Sequence, residues 1–109
     1  MTESLPSTAV IHVARGSFDP SRFAEVDALA TKQADYLVPA IEALPGLLHW
    51  FTAVSPTGSI VNISIWDTEE HAEQMDTLKE MVETARGEFK ALGALTFAPT
   101  VNYPITWTI

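Results

Sequence analysis

Cysteine is absent from the 109 residues, which excludes disulfides, thiolate nucleophiles and zinc–thiolate sites. Basic residues are scarce: 6 Lys and Arg stand against 14 Asp and Glu, for a formal charge of −8. They are spread from Arg15 to Lys90 without a cluster. The chain therefore lacks the basic face that displaces counterions from nucleic acid or docks on an anionic membrane, and neither partner is expected. No apolar run approaches the roughly 18–20 residues of a membrane-spanning helix. The polar start, Met1–Ser7, lacks the basic and apolar segments of a secretory leader, so the expected compartment is the cytoplasm. Phosphate-cradling glycine loops are missing. The three histidines are too far apart for a helical ligand pair, so no metal and no nucleotide cofactor are expected. What remains is a chain with 47% apolar residues and only 5 Gly and 7 Pro, enough to bury one core and too little to suggest disorder or a second domain.

Residues 1–8 read as a mobile arm, and 9–109 as a single domain. The β-branched run Ala9–Ala14, bounded by Gly16, predicts a strand. Asp19 and Pro20 suit the N-cap and first position of a helix, with Phe18 and Phe23 placed as a hydrophobic staple. Apolar residues at Phe23, Val26, Ala30, Ala34, Leu37, Ile41 and Leu44 give a helical stripe. Pro39 predicts a bend after Leu37, and Pro45-Gly46 an end. Leu47–Val54 and Ser59–Trp66 read as strands joined by a type I turn at Ser55–Gly58. Asp67 and Glu70 have capping-box spacing for one second helix, with its stripe at Ala72, Met75, Leu78, Val82, Ala85, Phe89 and Leu92 and Gly93 as its cap. Leu95–Ala98 begins a fourth strand, and Ile105, Trp107 and Ile109 alternate with threonines in a last extended piece. The order βαββαβ plus a C-terminal strand predicts an α+β, ferredoxin-like fold with the first and third strands central in one antiparallel sheet.

Neither face of this sheet reads as polar. In the third strand, Val61, Ile63 and Ile65 oppose Ile60, Asn62, Ser64 and Trp66; in the second, Leu48, Trp50 and Val54 oppose Leu47, His49, Phe51 and Ala53. A sheet with one wet face alternates cleanly. Two helices cover one side only, and the other would expose an apolar patch that soluble monomers avoid. A second copy on a two-fold axis is the expected cover, with the C-terminal strand reaching onto it or folding back over its own sheet.

The hairpin followed by Ile65-Trp66-Asp67-Thr68-Glu69-Glu70-His71-Ala72 resembles the dimeric α/β-barrel superfamily, in particular antibiotic-biosynthesis-monooxygenase-like domains, whose third strand commonly ends in Trp before a polar cap, an acid and Ala. In layout the resemblance spans residues 9–98. The tail 101–109 looks like that of a bacterial subgroup of unassigned role. The resemblance implies a homodimer with a small-molecule ligand. It also implies a choice of activities, among them cofactor-free oxygenation of polycyclic phenols and haem degradation. The groups of the haem-degrading branch fall at Ala14, Met75 and Ala85, none of which can replace them, and this argues against that branch.

A cofactor-free monooxygenase acting on a small aromatic or polyketide-type molecule needs a base and a group to steady the resulting anion. His12 and His49 are the candidate bases, since imidazole titrates near neutrality. Asn62 offers amide donors to an oxyanion, and Ser64 and Trp66 share its strand face. Tyr36 and Arg86 would reach in from the helices, Arg86 as the partner of an anionic substrate. The same residues also fit duller roles: core packing for Trp66 and Trp50, a surface pair with Glu83 or Glu88 for Arg86, an exposed helix start for His71. The alternative function is a non-catalytic small-molecule-binding or sensing homodimer.

Overall fold

The computed structural model describes residues 5–93 and 95–109; residues 1–4 of the expected arm lie outside them. The rest of that arm, residues 5–8, forms a turn, with the Thr8 hydroxyl donating to the Asp67 carbonyl. Strand β1 spans Val10–Ser17. Asp19 then accepts from the backbone N–H of Ser21 at 3.0 Å, with Pro20 in the first position of a 3-10 turn that leads into α1, Phe23–Glu42. Phe18 and Phe23 pack in the same cluster, as a staple requires.

Helix α1 runs on through Pro39 to Glu42 without a break at Leu37. Asp35 and Pro39 both face solvent, so the carbonyl that Pro39 leaves without its donor is reached by water. Strands β2 (Leu47–Ser55) and β3 (Ser59–Trp66) form the hairpin, closed by Gly58 N–H donating to Ser55. Gly58 has φ +106° and a Cβ there would lie 2.5 Å from the Phe18 carbonyl, so this turn requires glycine.

Where one second helix was expected, the chain is broken. Helix α2 covers only Glu69–Ala72 and tightens into a 3-10 turn at Glu73–Asp76; a π-helical turn, Glu80–Ala85, then runs into α3, Arg86–Leu92. The apolar stripe is continuous because the π turn absorbs the phase error: Met81 packs on one core cluster and Phe89 belongs to the other. The cap of α2 is also shifted by one residue. Thr68 Oγ1, not Asp67, accepts from the N–H of His71, because Asp67 Oδ1 is held by His71 Nδ1 at 2.6 Å. Gly93, at φ +71°, ends α3 as expected.

β4 (Thr96–Phe97) and β5 (Val101–Pro104) both pair antiparallel with β1, giving the order β2-β3-β1-β4 with β5 beside β4 on the same edge. The first and third strands are central, as the crossover rule requires. The last strand lies earlier than the alternation of Ile105, Trp107 and Ile109 suggests: β5 extends the edge of its own sheet, and Trp107 and Ile109 are exposed.

Register assigns the faces. Val10, His12, Ala14 and Gly16 pair with Trp66, Ser64, Asn62 and Ile60, toward the helices; Ile11, Val13 and Arg15 pair with Ile65, Ile63 and Val61 on the opposite face. A bulge between Leu47 and His49 moves Leu47 to the helix side with Trp50 and Val54, correcting the alternation read from the sequence. Two core clusters result. One gathers Val10, Ile41, Trp66, Ala72 and Met75; the other gathers Phe18, Val26, Ile60 and Phe89 at the far end of the same strands.

Candidate functional site

Between the two clusters the helix side of the sheet carries small and polar residues, and a cleft of about 860 Å³ opens there under α1 and the π turn. Ala14 sits opposite Asn62 in the register, and its missing bulk leaves room beside the amide. The remaining walls are mostly apolar, as in small-molecule sites generally.

His12 lines the cleft and is 3% exposed. Its Nδ1 lies 2.6 Å from Asn102 Oδ1, a carbonyl oxygen that can only accept, so Nδ1 carries the proton. Nε2 of His12 has no hydrogen-bond partner among the described residues, and with the proton on Nδ1 it is the acceptor of a ring that lines the cleft.

Asn62 is oriented from the neighbouring strand. The indole N–H of Trp50 donates to Thr52 Oγ1 at 2.8 Å, and the Thr52 hydroxyl donates to Asn62 Oδ1 at 2.7 Å. Indole can only donate, so the single threonine proton goes to Asn62, which presents its oxygen to Thr52 and its NH₂ to the cleft. His12 and Asn62 are diagonal neighbours on adjacent strands, because His12 pairs with Ser64, two residues beyond Asn62. A hydrogen-bond acceptor and a donor thus face the same space.

Arg86, the first residue of α3, lies over the Phe97 ring, with Cζ 5.1 Å from its centroid. It lines the cleft and forms no salt bridge with Glu83 or Glu88 among the described residues. The charge is held by an aromatic face and is left to meet an anion.

The other sequence candidates lie elsewhere. Ser64 and Trp66 are fully buried and bonded to each other, Trp66 Nε1 donating to Ser64 Oγ at 2.8 Å; neither lines the cleft. The Tyr36 hydroxyl donates to Glu88 outside the cleft lining. Burial first, then that hydrogen bond, push its pKa well above the usual tyrosine value, so it remains a donor. His49 borders the mouth, but it pairs with Ile65 and stacks on Phe51, which places its ring on the outward face. His71 is half-buried in its pair with Asp67. No group of three metal-ligating side chains occurs among the described residues.

Four contributors escaped the sequence. Asn102, Thr52 and Trp50 act on His12 and Asn62 across strand pairs, and only the period-two facing of Thr52 with Trp50 signalled any of them. Gln33, 3% exposed on α1, donates to the Ala85 carbonyl at 3.1 Å and ties the π turn in place.

No family model and no curated protein matches the sequence. Solved structures do. SnoaB, a cofactor-independent oxygenase from Streptomyces nogalater, here an asparagine-to-alanine mutant, superposes with a TM-score of 0.60 at 16% identity, over 94% of this chain and 97% of its own. A candidate antibiotic biosynthesis monooxygenase from Deinococcus radiodurans gives 0.67 at 18% identity, over 92% and 95%. A dimeric ferredoxin-like protein from an uncultured marine organism gives 0.65 at 13%, over 94% and 91%. This chain has the ferredoxin-like fold that these proteins, antibiotic-biosynthesis-monooxygenase-like ones among them, share.

Proposed function

We propose that the protein is a homodimeric, cofactor-independent monooxygenase-like enzyme acting on a small aromatic or polyketide-type molecule in the cleft. The observation that carries this reading is the pair of oppositely oriented polar groups, His12 Nε2 as acceptor and the Asn62 NH₂ as donor, in a mostly apolar space of about 860 Å³. The similarity in fold to SnoaB supports the reaction class.

In this reading the ring system lies between the apolar walls. His12 Nε2 takes a proton from an acidic C–H or phenolic O–H. The Asn62 amide steadies the charge that gathers on the conjugated oxygen, and Arg86 pairs with an anionic substituent. The resulting electron-rich anion is the reductant for dioxygen: one oxygen atom joins the ring carbon, and the other leaves as water with the protons of the oxidised CH₂ group. A second copy packs on the open face of the sheet, where Phe51 and Tyr103 are 58% and 51% exposed beside Ile11, Val13, Val61, Ile63 and Ile65.

Oxygen uptake measured with a panel of anthrones and quinols tests the proposal. Expected is substrate-dependent uptake that His12→Gln lowers by roughly 10²–10⁴-fold. Absence of uptake across the panel, with saturable binding of the same compounds, would assign the cleft to binding alone.

A further inference from the structure

We propose that Asn102, on the short C-terminal strand β5, is a positioning residue that holds His12 in the Nδ1–H tautomer and so keeps an unprotonated Nε2 turned into the cleft. The proposal rests on the reading of His12 as the base, and adds what makes it one.

Histidine in water favours the Nε2–H tautomer, with the lone pair on Nδ1. A ring in that form would offer the cleft a donor, not a base. The tautomer is decided by the hydrogen bond that the other nitrogen makes. Here Nδ1 is 2.6 Å from the amide oxygen of Asn102. His12 is 3% exposed, so water has little access to compete for that position.

The partner is fixed by the sheet. Val10, Ile11, His12 and Val13 pair with Pro104, Tyr103, Asn102 and Val101, which places Asn102 directly across from His12 on the helix side. A slip of one residue would turn the amide to the opposite face and release the ring. Strand β5 is thus part of the site, although it only borders it in space: Asn102 does not line the cleft.

The chemistry of the amide matters as well. A carboxylate at this position would also accept from Nδ1–H, but it would add a negative charge and favour the imidazolium. The amide selects the tautomer without adding a charge beside the ring.

The test reads the tautomer directly. The full chain, labelled with ¹⁵N in histidine, is examined by long-range ¹H–¹⁵N correlation at about pH 9, where imidazoles are neutral; His12→Gln assigns the signals. Expected is a protonated Nδ1 and an unprotonated Nε2 for His12. Asn102→Leu is expected to move the proton to Nε2 and to lower kcat at least tenfold with little change in KM. Asn102→Asp, which can only accept, is expected to keep the Nδ1–H form. Amide signals of the β1–β5 pairing report folding, and Asn102→Ala replaces the leucine variant if that does not fold. An Nε2–H ring in the wild type, or an unchanged tautomer in Asn102→Leu and Asn102→Ala, overturns the proposal. The readout requires no turnover. A His12→Gln variant with full oxygen uptake therefore overturns the base assignment separately, while the ring spectra still decide the role of Asn102.

Discussion

The two faces of the sheet are built from alternate residues of the same strands, yet they do different work. Toward the helices, β1 and β3 place two apolar ends around a polar middle: His12, Ser64 and Asn62 lie between the Trp66 cluster and the Ile60 cluster, each with a hydrogen-bond partner. On the opposite face the corresponding positions are Ile11, Val13, Val61, Ile63 and Ile65, with Phe51 and Tyr103 at the flanks. A buried polar group needs a partner, so the first face is organised by hydrogen bonds and is sensitive to single atoms. The second is organised by area alone and suits another flat apolar surface.

Four substitutions separate these roles. Trp66→Ala, on the inner face, should cost the most: about 3–5 kcal/mol of stability, read from chemical denaturation, since it empties a fully buried site and strands Ser64. If stability were unchanged and ligand binding lost, Trp66 would belong to the cleft and not to the core. Asn62→Ala should leave the melting temperature nearly unchanged and reduce oxygen uptake by roughly 10²–10³-fold, the usual cost of one oxyanion donor. Ile63→Asp, on the outer face, should do the reverse. Sedimentation should show association weakened by about 3 kcal/mol, near a hundredfold in the dimer constant, with the cleft chemistry intact at high protein concentration. A wild-type chain that sediments as a stable single copy at micromolar concentration would break the comparison itself. Thr52→Val should have the smallest effect, a loss of a few-fold to tenfold in uptake, because it frees the Asn62 amide to rotate without removing it.

Tyr36 gives a check outside both faces. Its pKa is raised by burial and by the bond to Glu88, so the neutral form is the one the fold stabilises. That contribution is present below the ordinary tyrosine value of about 10 and is lost as pH rises through the folded value. Ultraviolet titration of a Tyr103→Phe variant should show no phenolate at about pH 10.5 while the chain is folded.

The regular parts of this molecule were legible because local rules and tertiary packing agree. Asp19-Pro20 starts a helical segment, Ser55–Gly58 turns the hairpin, Gly93 ends α3, and the strand order follows from handedness. The misreadings have a common cause: local signals set phase, and packing changed it. The bulge beside Leu48 moved Leu47 to the other face, the π turn replaced a straight helix, and Thr68 took the cap because Asp67 was engaged by His71. Of the candidate residues, His12, Asn62 and Arg86 meet in one cleft, whereas Ser64 and Trp66, on the same strand face as Asn62, are closed off beneath the first core cluster.

Alternation and helical periodicity marked where strands and helical segments lie and put apolar residues on both sides of the sheet, because periods of two and of about 3.6 residues are local, and crossover handedness then made the first and third strands central. Tertiary structure decided which polar residues meet in the cleft. The proton on His12 and the direction of the Asn62 amide depend on Asn102, 90 residues away in the chain, and on Thr52 across a hairpin, and hydrogen bonds of that kind exist only once strand register is fixed.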